Sequence, residues 1–174
     1  MIAASPQLSE FFEVTSMPVP ADLSGSYERH WETVFRTALR VTGNPADAED
    51  VLQTVFLRVL SRDGSDPSGD RPAAYFRRAA VNASVDLLRR RAVQAATVFD
   101  DQAPHAAVDS APLLKEQLRR AIATLEPDDA TLFLLRHVEG LSNQELAEMF
   151  QLEKNNIAVR LHRIRVRLQA EMER

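Results

Sequence analysis

The sequence predicts an all-α protein of two small helical modules, three helices and then four, joined by a flexible linker. Three observations predict it. Glycine is scarce, at 5 of 174 residues. Apolar residues recur at three and four along most of the chain, the spacing of one helix face. Between the two periodic stretches, "AVQAATVFDDQAPHAAVDSAP" (Ala92–Pro112) carries two prolines, several acids and little periodicity. That composition reads as a linker.

The elements follow in order. Residues 1–25 hold Pro6, Pro18 and Pro20 around Leu8, Phe11, Phe12 and Val14, and read as an N-terminal extension. A first helix runs about Ser26–Thr42, with Tyr27, Trp31, Val34, Phe35, Ala38 and Val41 on one face. "GNP" ends it: Asn44 suits an N-cap and Pro45 a first helical position, where its missing amide leaves nothing unpaired. A second helix spans about Ala46–Leu60, and "SRDGSDPSGDRP" (Ser61–Pro72) is a loop. A third helix spans about Ala73–Arg91. These boundaries give a first module at 26–92, a linker at 93–112 and a second module at 113–174. In the second module, Leu114, Leu118, Ile122 and Leu125 mark one helix, and Glu126-Pro127 restarts another that Gly140 ends. Ser142-x-x-Glu145 is a capping box. It opens a short helix, Asn143–Phe150, and a turn at Gln151–Glu153 leads into a last one, about Lys154–Met172.

Composition excludes several functions. There is no cysteine, which removes disulfides, thiolate nucleophiles and most zinc sites, and fits a reducing cytoplasm. The four histidines are scattered without ligand spacing, so no metal or other cofactor is expected. No apolar run approaches the roughly 20 residues a membrane span needs. The first residues lack the basic and apolar regions of a secretory signal. No nucleophile–base pair stands out, so an enzyme is not expected.

The last two helices form a helix-turn-helix candidate. Ile157, Leu161, Ile164 and Leu168 fall within about 60° on a helical projection and pack inward. Asn156, Arg160, Arg163 and Arg167 share another arc. Asparagine and arginine pair bidentately with adenine and guanine edges. Between Lys154 and Arg174 six basic residues face two acidic ones, although the whole chain has 21 basic against 25 acidic. An Arg-rich helix can be only a solvated face. The capping box, the tight turn and the position of Asn156 favour DNA.

The second helix, "NPADAEDVLQTVFLRVL", turns Ala48, Leu52, Val55, Phe56 and Val59 one way and Asp47, Asp50, Gln53 and Thr54 the other. Leu57 lies among the polar residues. Acids in a first turn complement the helix dipole, which covers Asp47, Glu49 and in part Asp50. The mixed Asp50/Gln53/Leu57 patch looks like a protein-binding surface.

At these residues the sequence resembles bacterial RNA polymerase sigma factors of the extracytoplasmic-function (ECF) class. "YERHWETVFRTALRVTGNPADAEDVLQTVFLRVL" and "RPAAYFRRAAVNASVDLLRRR" resemble sigma region 2. "LEPDDATLFLLRHVEGLSNQELAEMFQLEKNNIAVRLHRIRVRL" resembles region 4. The resemblance implies a transcription initiation factor that joins core polymerase, recognises −10 and −35 elements and melts the promoter. Asp47, Glu49, Asp50 and Gln53 match the family motif, and with Leu57 would bind the clamp helices of the β′ subunit. Region 4 would bind the β flap and lay Lys154, Asn155, Asn156, Arg160, Arg163 and Arg167 in the major groove of the −35 element. An anti-sigma factor is implied as a further partner.

The third helix matches the segment that meets the −10 element. Tyr75 and Phe76 are candidate stacking platforms for unpaired bases, worth about 1–3 kcal/mol each. Arg77, Arg78, Arg89, Arg90 and Arg91 are candidate phosphate contacts. Asn82 and Asp86 match an N-x-x-x-D motif, and Asn82 is the candidate base reader. Phe76 shares a face with Ala80, Ala83 and Leu87 and reads as core; Tyr75 fits either role; Asp86 reads as a structural partner of Arg90 at i+4. The Ser61–Pro72 loop corresponds to the one that captures a flipped base, at a cost of a few kcal/mol. Three departures from the family pattern are Tyr75 for a frequent tryptophan, Gln151 for a common glycine, and the Lys154-Asn155-Asn156 start with Ala158 and Val159. Two other classes stay open here: a stand-alone helix-turn-helix regulator whose first module dimerises, and a helical adaptor that binds only protein.

Overall fold

The computed structural model describes residues 21–61, 71–97 and 110–173. Seven helices occupy them: α1 (Ala21–Thr42), α2 (Pro45–Leu60), α3 (Pro72–Thr97), α4 (Ser110–Ala123), α5 (Pro127–His137), α6 (Asn143–Phe150) and α7 (Lys154–Met172). Three boundaries differ from expectation. α1 starts at Ala21, before Ser26; α3 runs to Thr97 and α4 starts at Ser110, so helix consumes both ends of the expected linker. "RRRAVQAAT" holds alanines, arginines and a glutamine, good helix formers that outweigh its lack of periodicity. The Leu8–Val14 patch and most of the expected base-capturing loop lie outside the described residues.

Local signals set the caps. The Asn44 side chain accepts from the Ala46 amide at 2.9 Å, with Pro45 in the first turn of α2. Ser142 and Glu145 form the reciprocal capping box at the start of α6. α1 ends at Gly43, whose φ of 71° costs a glycine little. A Cβ there would also collide with the guanidinium of Arg119 on α4.

Two hydrophobic clusters form. In the first, Val34 and Ala38 of α1, Val51, Val55 and Phe56 of α2, and Phe76, Ala80 and Ala83 of α3 are buried together. Phe56 and Phe76 stack at 5.5 Å, and Tyr27 meets Phe56 edge-on. The second gathers Ile122, Leu125, Leu132, Leu135, Leu146, Ile157, Leu161, Ile164 and Leu168 from α4–α7. It does not stop at the module boundary: Val41 of α1 and Val81, Val85 and Leu88 of α3 belong to it. α3 therefore carries apolar residues on two opposite sides. Phe76, Ala80 and Ala83 point to α1 and α2; Val81, Val85 and Leu88 point to α4–α7. A helix apolar on both sides is a buried one, and α3 is the layer between the two modules.

Candidate nucleic-acid and protein interfaces

Between α6 and α7 the chain turns at Gln151, the described non-glycine residue with positive φ, 55°. Its amide donates to the Ala147 and Glu148 carbonyls, and the Leu152 amide donates to Ala147 at 2.9 Å. These bonds satisfy carbonyls that the end of α6 would leave open. Four residues of α7 then anchor it: Ile157, Leu161, Ile164 and Leu168 are all buried, the stripe the spacing predicts.

With that side fixed, the rest of α7 faces outward. Lys154, Asn155, Asn156, Arg163 and Arg167 are exposed. Arg160 is half-buried because its guanidinium is held by Asp129 at the start of α5. Arg167 reaches back to the Thr124 carbonyl at 3.4 Å. Val159 and Val166, 50% and 52% exposed, also sit on this outer side. Neither carries a polar group that could read a base edge. Counted at 100° per residue, they lie almost opposite the buried stripe, so the spacing does signal their exposure. The surroundings are cationic: His137 is driven below its usual pKa by burial and by Arg136 and Arg165. At the start of α6 the Ser142 amide and hydroxyl hold the Glu145 carboxylate below its usual range. Hydrogen bonds from Arg71 and Gln144 do the same for Glu148.

On α2 the structure sorts the candidate acids. Glu49, Asp50 and Gln53 are exposed beside Leu57, which is 62% exposed. Leu60, one turn on, is a further exposed residue that the motif match leaves out, although it lies three residues from Leu57. Asp47 does not belong to this face. It is 3% exposed and paired with Arg91 of α3, so in this arrangement it ties α2 to α3. Arg91, expected on phosphate, is that partner.

The candidates on α3, Arg90 excepted, are brought together but not left open. Tyr75 is half-buried, edge-on to Phe76 at 5.4 Å, and Phe76 is fully buried in the core. Arg78 donates to the Met149 carbonyl at 3.0 Å, and its guanidinium lies 4.7 Å over the Phe150 ring. The Asn82 carbonyl oxygen accepts from the Thr131 hydroxyl at 2.7 Å. Arg89 donates to the Leu125 carbonyl. Arg90 is exposed. Asp86 pairs with Arg58 of α2 at 3.3 Å and not with Arg90, because the neighbouring helix brings a cation closer than the next turn does.

Two faces thus define the molecule: a mixed acidic and apolar one on α2, and a cationic helix-turn-helix whose second helix presents Asn, Lys and Arg. Among the described residues no group of acids and histidines is arranged to hold a metal ion. No helix there is long and apolar enough to cross a membrane.

Comparison with known proteins gives the class. Residues 26–93 match the family model of sigma-70 region 2, and residues 115–168 that of sigma-70 region 4. The chain belongs to the sigma-70 family of RNA polymerase sigma factors, and directs promoter-specific initiation of transcription. The relatives narrow this to the extracytoplasmic-function class. The RNA polymerase sigma factor CarQ of Myxococcus xanthus is 33% identical over 141 residues, 79% of this chain and 81% of that protein. The sigma-E factor of Streptomyces avermitilis is 29% identical over 82% of this chain and 80% of its own. The ECF sigma factor SigW of Bacillus subtilis is 23% identical over 87% and 88%. A solved structure, sigma factor RpoE with the anti-sigma factor NepR from Bartonella quintana, matches 88% of this chain and 98% of that one. Its identity is 18% and its TM-score 0.49. A stand-alone helix-turn-helix regulator is not favoured, since region 2 precedes region 4 in the family's own order.

Proposed function

We propose that the exposed face of α2, with Glu49, Asp50, Gln53 and Leu57, docks on the clamp helices of the polymerase β′ subunit. Asp47 contributes to it indirectly, by holding α2 against α3. Region 4 then binds the β flap and lays α7 in the major groove of the −35 element. Asn155, Asn156 and Arg163 are the base readers there, and Lys154, Arg160 and Arg167 hold phosphates. On α3, Tyr75, Arg78, Asn82, Arg89 and Arg90 meet the −10 element. The working units are region 2 at 26–92 and region 4 at 113–174, tethered by 93–112 after an extension at 1–25.

The observation that carries this reading is the sidedness of α7. One face is anchored by four buried aliphatics, so the rest of the helix surface is held rigid, with Lys154, Asn155, Asn156, Arg163 and Arg167 exposed on it. Rigid placement on a helix is what base readout in the major groove requires. The chain works as a non-enzymatic factor in the cytoplasm, needs no cofactor, and is held in check by an anti-sigma factor, as its class implies.

Run-off transcription with purified core polymerase tests the reading. Core plus this chain should give a discrete transcript from a cognate promoter, and neither alone should. A chain that fails to bind core yet footprints an operator unaided would overturn the proposal.

A further inference from the structure

The open surface of α7 has a crest and two flanks. At 100° per residue Val159 lies about 170° from the centre of the buried stripe, farther round than Asn155, Asn156 or Arg163. It is 50% exposed, and Asn155 and Arg163, four residues to either side, are exposed as well. Residues four apart are neighbours on a helix surface, so Asn155, Val159 and Arg163 form one row along the crest. Arg160 and Arg167 lie on one flank, about 80–100° from Val159, and Arg165 on the other, about 120° away. In a major groove the crest of a helix meets base edges and its flanks meet the phosphate walls. An apolar side chain therefore stands at the point nearest the bases, with a polar reader on either side of it.

What a valine can do there is narrow. It has no donor or acceptor, so it can hydrogen-bond neither a phosphate nor a base. Its branched Cβ holds one rotamer in a helix, which fixes its two methyls in place. It adds nothing to the fold that alanine would not, since at an open helical position valine is the poorer helix former. Among the bases only thymine offers the major groove a methyl group. A cytosine, adenine or guanine edge at that point would lose water from its polar atoms against the valine and gain no partner.

We infer that Val159 is a specificity-determining residue of the −35 contact: it reads the C5-methyl of one thymine, between the base pairs met by Asn155 and Arg163. This role rests on the placement of α7 proposed above. Val159 falls in the stretch where the chain departs from the pattern of its family, so the base it selects is particular to this chain. Val166, 52% exposed, shares the crest but stands about 10 Å farther along the axis. Base contacts come from the N-terminal part of a recognition helix, so Val166 reads none.

The test removes the methyl and the valine separately. Holoenzyme made from core polymerase and this chain selects duplexes from a library randomised at both promoter elements. The selected duplex is rebuilt with deoxyuridine for thymine, one −35 position at a time on either strand, which removes only the C5-methyl. At one position this should weaken holoenzyme binding about fourfold, the value of one methyl returned to water. Val159→Ala should weaken binding to the unmodified duplex about as much. Deoxyuridine at that position should then cost the variant nothing more, the non-additivity of two groups in contact. Val166→Ala should keep the parent's sensitivity to deoxyuridine, and Val159→Ala the parent's unfolding curve and affinity for core. If no deoxyuridine weakens binding, or if Val159→Ala leaves the sensitivity intact, the methyl contact is refuted. Lost affinity for core on Val159→Ala, with every deoxyuridine silent, makes the crest a protein contact and refutes it equally. If the library yields no preferred −35 sequence at all, the placement of α7 itself fails, and the role of Val159 falls with it.

Discussion

Leu57 separates a docking role from a structural one. The side chain stands on the outer face of α2, 62% exposed, on the same side as Asp50 and Gln53. Leu57→Ala removes three carbons, worth about 2.4 kcal/mol of transfer free energy at about 0.8 kcal/mol each. With 62% of the residue still in water, a partner that covers it fully gains about 1.5 kcal/mol from those carbons. That is about a tenfold loss of affinity for core polymerase. Stability should change by no more than about 0.5 kcal/mol, because the surface is already solvated and alanine is a good helix former. The control is Val55→Ala, on the same helix but buried against α1 and α3. It should cost about 1.5–3 kcal/mol of stability through lost transfer and cavity terms. Competition binding to core polymerase gives the affinities, and urea unfolding gives the stabilities. An affinity for core unchanged by Leu57→Ala, with native stability, would refute the docking face; a stability loss above about 1 kcal/mol would refute the placement of Leu57.

Four further outcomes are expected. Arg163→Ala should cost about 1–3 kcal/mol on the cognate −35 sequence and relax preference at one base pair; a uniform loss across promoter sequences, seen in a template-library transcription assay, would reassign Arg163 to phosphate. Gln151→Gly should stabilise the chain by roughly 0.5–1 kcal/mol in thermal melts, since a left-handed φ strains a side chain and not glycine; a lower Tm would contradict the turn geometry. Asp47→Asn should destabilise the fold by about 1–2 kcal/mol, because it leaves a buried amide facing Arg91, whereas Asp50→Asn should not; equal unfolding curves would count against the buried pair. Glu145 has a depressed pKa in the folded chain, so its stabilising contribution is complete above the unfolded value, about 4.3, and is lost as pH falls through the lower folded one. Glu145→Gln should therefore flatten the acid limb of stability against pH, and an unchanged limb in urea melts would remove Glu145 as a contributor.

Much of the local architecture is legible in the amino-acid sequence. Asn44, Pro45, Ser142 and Glu145 cap helices as their chemistry dictates. Ile157, Leu161, Ile164 and Leu168 form the buried stripe their spacing demands. The departures from expectation have a common cause. Asp47 is chemically like its neighbours Glu49 and Asp50, but it turns toward Arg91, 44 residues away. Asp86 has a plausible partner at i+4 and takes Arg58, 28 residues away in the chain. Val81, Val85 and Leu88 make a second apolar side on α3, and a match to one face alone conceals it.

From sequence alone comes what depends on residues within a turn or two of each other: where helices begin, which side of each is apolar, and which family motifs stand in order. Capping bonds and helical spacing are short-range, so the chain specifies them wherever it lies. Tertiary packing decided which polar groups face water, because solvent exposure depends on partners brought from distant stretches of chain. It seated region 4 on α3, closing Arg78, Asn82 and Arg89 inside the fold while leaving Leu57 and the outer side of α7 open.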